Sequence, residues 1–162
     1  MEKKTQVISY NVYSSIDELD KDDAWLLREA RSQTELAYAP YSHYHVAAVA
    51  RMNDGSIVHG TNQENASFPV GLCAERVLLA AVSSVSPGES IDTLAISYDN
   101  HRDGSDHPVA PCGICRQSLS EFEDRMKQPI RLILGGMTGE VFILDSAKQL
   151  LPFTFDGSEL SE

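Results

Sequence analysis

Long apolar runs are missing from this 162-residue sequence. No stretch approaches the roughly 18–20 apolar residues that a membrane-crossing helix needs, and Met1-Glu2-Lys3-Lys4 leads into a polar mixture. Neither a membrane span nor a signal peptide is expected, which makes the cytoplasm the expected location. Positive charge is scarce too: 13 Lys and Arg stand against 24 Asp and Glu, a net charge of −11. The basic residues fall singly or in pairs, so no patch is available to displace counterions from phosphates, and a nucleic-acid partner is disfavoured. Cysteine is rare and odd in number, at three. Without an export signal, that number favours metal or redox use over a disulfide framework. Internal repeats, low-complexity segments and linkers are missing as well, so one globular domain with one sizeable core is expected.

What is present alternates between strand and helix. Residues 44–52 are rich in Val and Ala, Asn53-Asp54-Gly55 is a turn signal, and residues 56–61 read as the returning strand of a hairpin. Residues 91–98, 130–134 and 141–144 read as further strands. Ser15 or Asp17 is a candidate cap for a helix running to about Ala37, ahead of Pro40. Cys73 to Val85 and Pro111 to Lys127 carry apolar residues at helical spacing, and a short helix is expected near residues 146–151. Residues 5–13 are β-prone and suit either an edge strand or an arm to a neighbouring subunit. The pattern is that of an α/β fold.

All three cysteines lie in two segments, Cys73-Ala74-Glu75-Arg76 and Pro111-Cys112-Gly113-Ile114-Cys115-Arg116-Gln117. Taken alone, Cys112-x-x-Cys115 fits a redox pair or half of a structural zinc knuckle as well as a catalytic metal. Cys73-x-Glu75 shifts the balance. Three thiolates leave one position of a tetrahedral zinc site open, which separates catalytic from structural zinc. Glu75, two positions beyond a ligand at a helix start, is placed to carry protons without binding the metal. Three thiolates on one divalent cation also leave surplus negative charge. Arg76 and Arg116 are candidates to offset it by hydrogen bonds to sulfur, as are the two helix N-termini.

Cys73-x-Glu75 followed by Pro111-Cys112-x-x-Cys115 resembles the signature of the cytidine deaminase superfamily. Asn62-Gln63-Glu64-Asn65-Ala66-Ser67-Phe68, just ahead of Cys73, narrows the likeness to the small, homotetrameric, three-cysteine cytidine deaminases of free nucleosides. Ala39-Pro40-Tyr41-Ser42 and Leu150-Leu151-Pro152-Phe153-Thr154-Phe155 resemble the same family, so the likeness covers residues 22–155.

The resemblance implies a three-layer α/β/α fold with a central mixed five-stranded sheet, one zinc per chain on Cys73, Cys112 and Cys115, and Glu75 as proton shuttle. It implies hydrolysis of free cytidine and 2'-deoxycytidine to the uridines with release of ammonia, a step of pyrimidine salvage. Asn62 and Glu64 are expected at the ribose hydroxyls, the Ala74 backbone and carbonyls near Pro111 at the base, and Tyr44, Phe68 and Phe155 around the pyrimidine. Phe155 is expected to come from a neighbouring subunit of a homotetramer with shared active sites.

The expected division is an N-terminal extension over 1–15, a single domain over 16–155 and a polar tail over 156–162. Tyr44 stands where the family usually has Phe, His45 where it has Pro, Ala47 where Gly is common, and Gln63 in place of an aliphatic residue. Two other readings stay open. One is deamination of another amino-pyrimidine, such as a cytosine-bearing antibiotic, and the other is a non-catalytic zinc-binding interaction protein.

Overall fold

Strands buried at consecutive positions are covered on both faces. Three strands here have that character over their middle: β2 (Tyr44–Met52), β4 (Ile91–Asn100) and β5 (Arg131–Gly135). In the computed structural model, which describes residues 1–160, helices supply the cover from both sides. Ala48, Ala50, Leu94, Ile96, Leu132 and Leu134 point to one core, shared with α2 (Ala74–Val85) and α3 (Gly113–Met126). Val49, Ala95 and Ile133 point the other way, onto Leu26, Leu27 and Ala30 of α1 (Lys21–Gln33). The two-residue period of the strands therefore sorts one sheet into two cores, and three layers result.

The sheet is mixed and has six strands in the order β1-β6-β5-β4-β2-β3, with β1 at Asn11–Tyr13, β3 at Ile57–Thr61 and β6 at Val141–Leu144. Only β4 and β5 run parallel, joined through α3; every other pair is antiparallel. The expectation of five strands is corrected by one: residues 11–13 pair with β6 and complete its outer edge. The β-prone run 5–13 enters the sheet only over those last three residues.

The first helix also differs from expectation. Ser15 caps a separate 3-10 turn, Ile16–Glu18, and α1 starts afresh where Asp20 Oδ1 accepts from the Asp22 and Asp23 amides at 3.0 and 2.9 Å. Ser161 and Glu162, the end of the expected tail, lie outside the described residues, and Gly157–Leu160 form a short 3-10 turn.

Two local devices hold the elements that carry the cysteines. Glu123 on α3 is buried, and its carboxylate accepts from the amides of Ile130 and Ala147 at 2.9 and 2.7 Å and from the Ser146 hydroxyl. That arrangement ties α3 to the 3-10 turn Ala147–Leu150. Gly60 on β3 lets α2 approach the sheet: a Cβ there would sit 2.4 Å from Leu78 N and 2.5 Å from Ala74 O. Both are backbone atoms and cannot swing aside. Gly60→Ala is expected to destabilise the protein by about 3 kcal/mol, as overpacking does, measured by urea unfolding. An unchanged midpoint would show that α2 is free to shift.

Candidate active site

The cysteines occupy equivalent places on two helices. Cys73 is the N-cap of α2 and Cys112 the N-cap of α3, while Cys115 sits in the first turn of α3, fully buried. Neither N-cap sulfur is spent on capping the backbone amides of its own helix, which leaves both available to the cluster. Sγ of Cys73 lies 3.8 Å from Sγ of Cys112, which lies 3.5 Å from Sγ of Cys115, and all three fall within 4.8 Å of one another. Tetrahedral zinc with sulfur at about 2.3 Å sets its ligands about 3.8 Å apart. The donor set and its spacing therefore fit zinc. Among the described residues no fourth His, Cys, Asp or Glu joins the cluster, which leaves one coordination position for a small molecule.

The thiols and Glu75 act on one another. The Cys73 thiol is lowered to about 6, first by its hydrogen bond with Cys115 and to a smaller extent by Cys112 and Arg76, while burial and Glu75 oppose. Cys115 is raised, by that same bond with Cys73, by burial and by Glu75. Glu75 is only 5% exposed in the first turn of α2, and burial raises its carboxyl, offset in part by its own amide and the Cys115 thiol.

A cavity of about 430 Å³ opens beside the sulfurs and gathers most of the residues expected there: Tyr44, Asn62, Glu64, Phe68, Cys73, Ala74, Glu75, Pro111 and Cys112. Its volume suits a small organic ligand. Among the described residues lining it, only Glu64 and Glu75 carry formal charge, and both are acidic.

Four expected residues lie elsewhere or do more than expected. Phe155 is 59% exposed, outside this cavity, with its carbonyl accepting from Gln117 Nε2 at 2.8 Å. The Arg116 guanidinium donates to the carbonyls of Pro111 and Leu150 at 2.7 and 3.1 Å, so it braces the loop ahead of α3. Asn62 and Glu64 already serve the backbone. Asn62 Nδ2 donates to Tyr44 O at 2.9 Å while its Oδ1 accepts from Val46 N at 2.8 Å. Glu64 accepts from the Tyr41 and Ser42 amides at 2.9 and 3.3 Å. Burial works against that carboxylate's charge, yet its bonds from Ser42 and Tyr41 hold it below the usual range.

Sequence reading missed Tyr98, which lines the cavity from β4. The signal was available: two residues beyond Ile96, it falls on the strand face that looks toward α2 and α3. Its ring lies parallel to Tyr44, 5.0 Å between centroids. Burial, with Tyr98 adding, pushes the Tyr44 hydroxyl up to about 12, so it stays a neutral phenol.

Residues 20–128 match the family model for the cytidine and deoxycytidylate deaminase zinc-binding region. This chain belongs to that family. Among other members, a cytidine deaminase of Halalkalibacterium halodurans is 33% identical over 141 residues, 87% of this chain and 99% of its own length. The crystal structure of a cytidine deaminase from Burkholderia pseudomallei superimposes with a TM-score of 0.70 at 38% identity, covering 81% of this chain and 97% of that one. A blasticidin-S deaminase from Bacillus cereus is 27% identical over 141 residues, 85% of this chain and 94% of its own. As a deaminase of this family, the chain places its zinc ligands on the helix starts where a metal can meet a cavity-bound ligand.

Proposed function

We propose that this chain hydrolytically deaminates free cytidine and 2'-deoxycytidine to uridine and 2'-deoxyuridine, releasing ammonia. One observation carries the reading: a three-thiol cluster borders, through Cys73 and Cys112, the cavity that the buried Glu75 lines, and the formally charged side chains of that lining are both acidic. Zinc bound by Cys73, Cys112 and Cys115 supplies Lewis-acid activation of water.

Glu75 moves the protons. Its carboxylate takes the proton that the attacking water gives up and delivers it to the ring nitrogen beside the reacting carbon. It then takes the proton of the newly added hydroxyl, which becomes the carbonyl of the product, and hands it to the exocyclic amine. A carbon–oxygen bond forms, the carbon–nitrogen bond breaks, and ammonia leaves. Burial of Glu75 raises its carboxyl, which favours the uptake of the proton that the water gives up. Arg76 offsets the negative charge of the thiolates, in keeping with its lowering of the Cys73 thiol.

The acidic lining favours a nucleoside over a nucleotide, since a phosphate would meet Glu64 and Glu75 without a cation among the lining residues. Asn62 and Glu64 each keep unused acceptor capacity for sugar hydroxyls beside their backbone bonds. Tyr44 and Phe68 flank the pyrimidine. Phe155 completes a neighbour's cavity in a homotetramer, in keeping with the exposure of Phe153 and Phe155 at 99% and 59%. Residues 16–155 constitute the catalytic unit, with 1–15 as an extension and 156–162 as a tail. Pyrimidine salvage in the cytoplasm fits such a reaction, and among the described residues no helix is long and apolar enough to cross a membrane.

The test is ammonia release from cytidine, 2'-deoxycytidine, deoxycytidylate and blasticidin S, with zinc assayed in the same protein. Turnover of both nucleosides well above the other two is the expected result. Zinc-loaded protein that spares both nucleosides would overturn it, and turnover of blasticidin S alone would move the chain to its antibiotic-acting relatives.

A further inference from the structure

Tyr44 is one of the aromatic surfaces set against the base in this reading, and a flat ring serves only if its plane is fixed. Its backbone is fixed by Asn62, which holds the Tyr44 carbonyl and the Val46 amide together. Its ring is fixed by another means. Tyr98, on the neighbouring strand and 3% exposed, stacks against it at 5.0 Å with 6° between planes.

Tyr98 is held in turn. Its hydroxyl lies 3.3 Å from His107 Nδ1, and that ring contacts Asp106 at 3.1 Å and meets Tyr98 edge-on at 5.9 Å. The segment that carries His107 is clamped on three sides. Ser105 Oγ accepts from the Asn100 amide at 2.8 Å, and its carbonyl accepts from the Thr138 amide at 3.1 Å. Arg102 donates to Tyr41 O at 2.8 Å. Behind it, Gly136 and Gly139 leave room for the backbone: a Cβ would stand 2.3 Å from Ser105 O at the first and 1.8 Å from Asp106 O at the second. This segment is therefore a rigid brace and not an open flap.

We propose that Tyr98 and His107 are positioning residues that lock the plane of Tyr44 and so prepare the cavity for its pyrimidine before substrate arrives. The inference rests on the nucleoside reading for its effect on binding, and on geometry alone for its effect on the Tyr44 ring. Pre-ordering one side chain and keeping one aromatic stack are together worth roughly tenfold in affinity. The effect belongs to binding, since the ring and hydrogen-bond contacts of the pair run to Tyr44, to each other and to Asp106.

Tyr98→Leu, which fills space but offers no ring face, is expected to raise KM for cytidine roughly tenfold, with kcat within about twofold. Tyr98→Phe keeps the stack and is expected to return KM to within roughly threefold of the parent, the share of one hydrogen bond. His107→Ala should cost no more than Tyr98→Phe, and the double variant should be no worse than Tyr98→Phe, because the bond between the two side chains is lost only once. Unfolding midpoint and zinc content are followed alongside. Aromatic ¹³C relaxation of the Tyr44 ring gives a readout independent of turnover: it should lose order in Tyr98→Leu and keep it in Tyr98→Phe.

A Tyr44 ring as ordered in Tyr98→Leu as in the parent overturns the proposal, as does additive loss in the double variant, or a fall in kcat at constant KM. Should Tyr98→Leu fail to fold, Tyr98→Phe, His107→Ala and their combination decide by the same additivity and relaxation measurements. A parent inactive on cytidine whose Tyr44 still depends on Tyr98 would leave this inference standing and remove the nucleoside reading.

Discussion

Glu75→Gln is expected to lower kcat for cytidine by roughly 10²–10⁴-fold, the span of a general acid–base contribution, while about one zinc per chain is retained. Glutamine keeps the shape and a hydrogen-bonding head in a position only 5% exposed, so the fold has little reason to respond. It cannot take up or release a proton near neutral pH. Because two successive deliveries depend on one carboxyl, no nearby group substitutes: among the described residues lining the cavity, the other titratable carboxyl is Glu64, already occupied by the Tyr41 and Ser42 amides. KM should change far less than kcat. A variant that keeps near-parental kcat with zinc in place would remove Glu75 from proton transfer.

Removing zinc is expected to abolish turnover and also to loosen the protein. Cys73 starts α2, and Cys112 and Cys115 start α3, so a shared metal joins two helices that enter the site 39 residues apart. A ligand held about a thousandfold below its working concentration adds about 4 kcal/mol to the folded state. For a chain of this size that corresponds to roughly 10 °C in unfolding midpoint. Calorimetry before and after chelation should show that fall, with recovery on adding zinc and none on adding magnesium, whose preference is for oxygen donors. An unchanged midpoint after complete removal would mean that the sulfurs do not couple the helices.

The site's reactive centre was legible because it is local. Cys73, Glu75, Cys112 and Cys115 each lie within four positions of a helix start, so periodicity and capping chemistry place them without knowledge of the sheet. The alternation of strands and helices was readable from the sequence periods, while the double cover of the sheet was an expectation from the family resemblance. What escaped depends on partners remote in sequence. That Asn62 clamps β2 follows from the β2–β3 pairing, and that Arg116 braces Leu150 follows from how the chain returns across α3. Tyr98 looked like an ordinary strand residue until β4 was registered against β2, which brings Tyr98 opposite Val46 and beside Tyr44. The sixth strand was half legible: residues 5–13 read as β-prone and suited to an edge, but three residues carry almost no period, so its extent was not readable.

That short strand bears on colloidal behaviour. Without it, β6 would end the sheet with the sequence Val-Phe-Ile-Leu and an unpaired row of amides and carbonyls, the kind of template on which chains add to one another. By pairing Asn11, Val12 and Tyr13 with Ile143, Phe142 and Val141, the extension occupies that row within the same molecule. Tyr10 adds its ring against Phe142 at 5.0 Å. The edge is thereby handed from a wholly apolar strand to one only three residues long, too short to recruit a stranger.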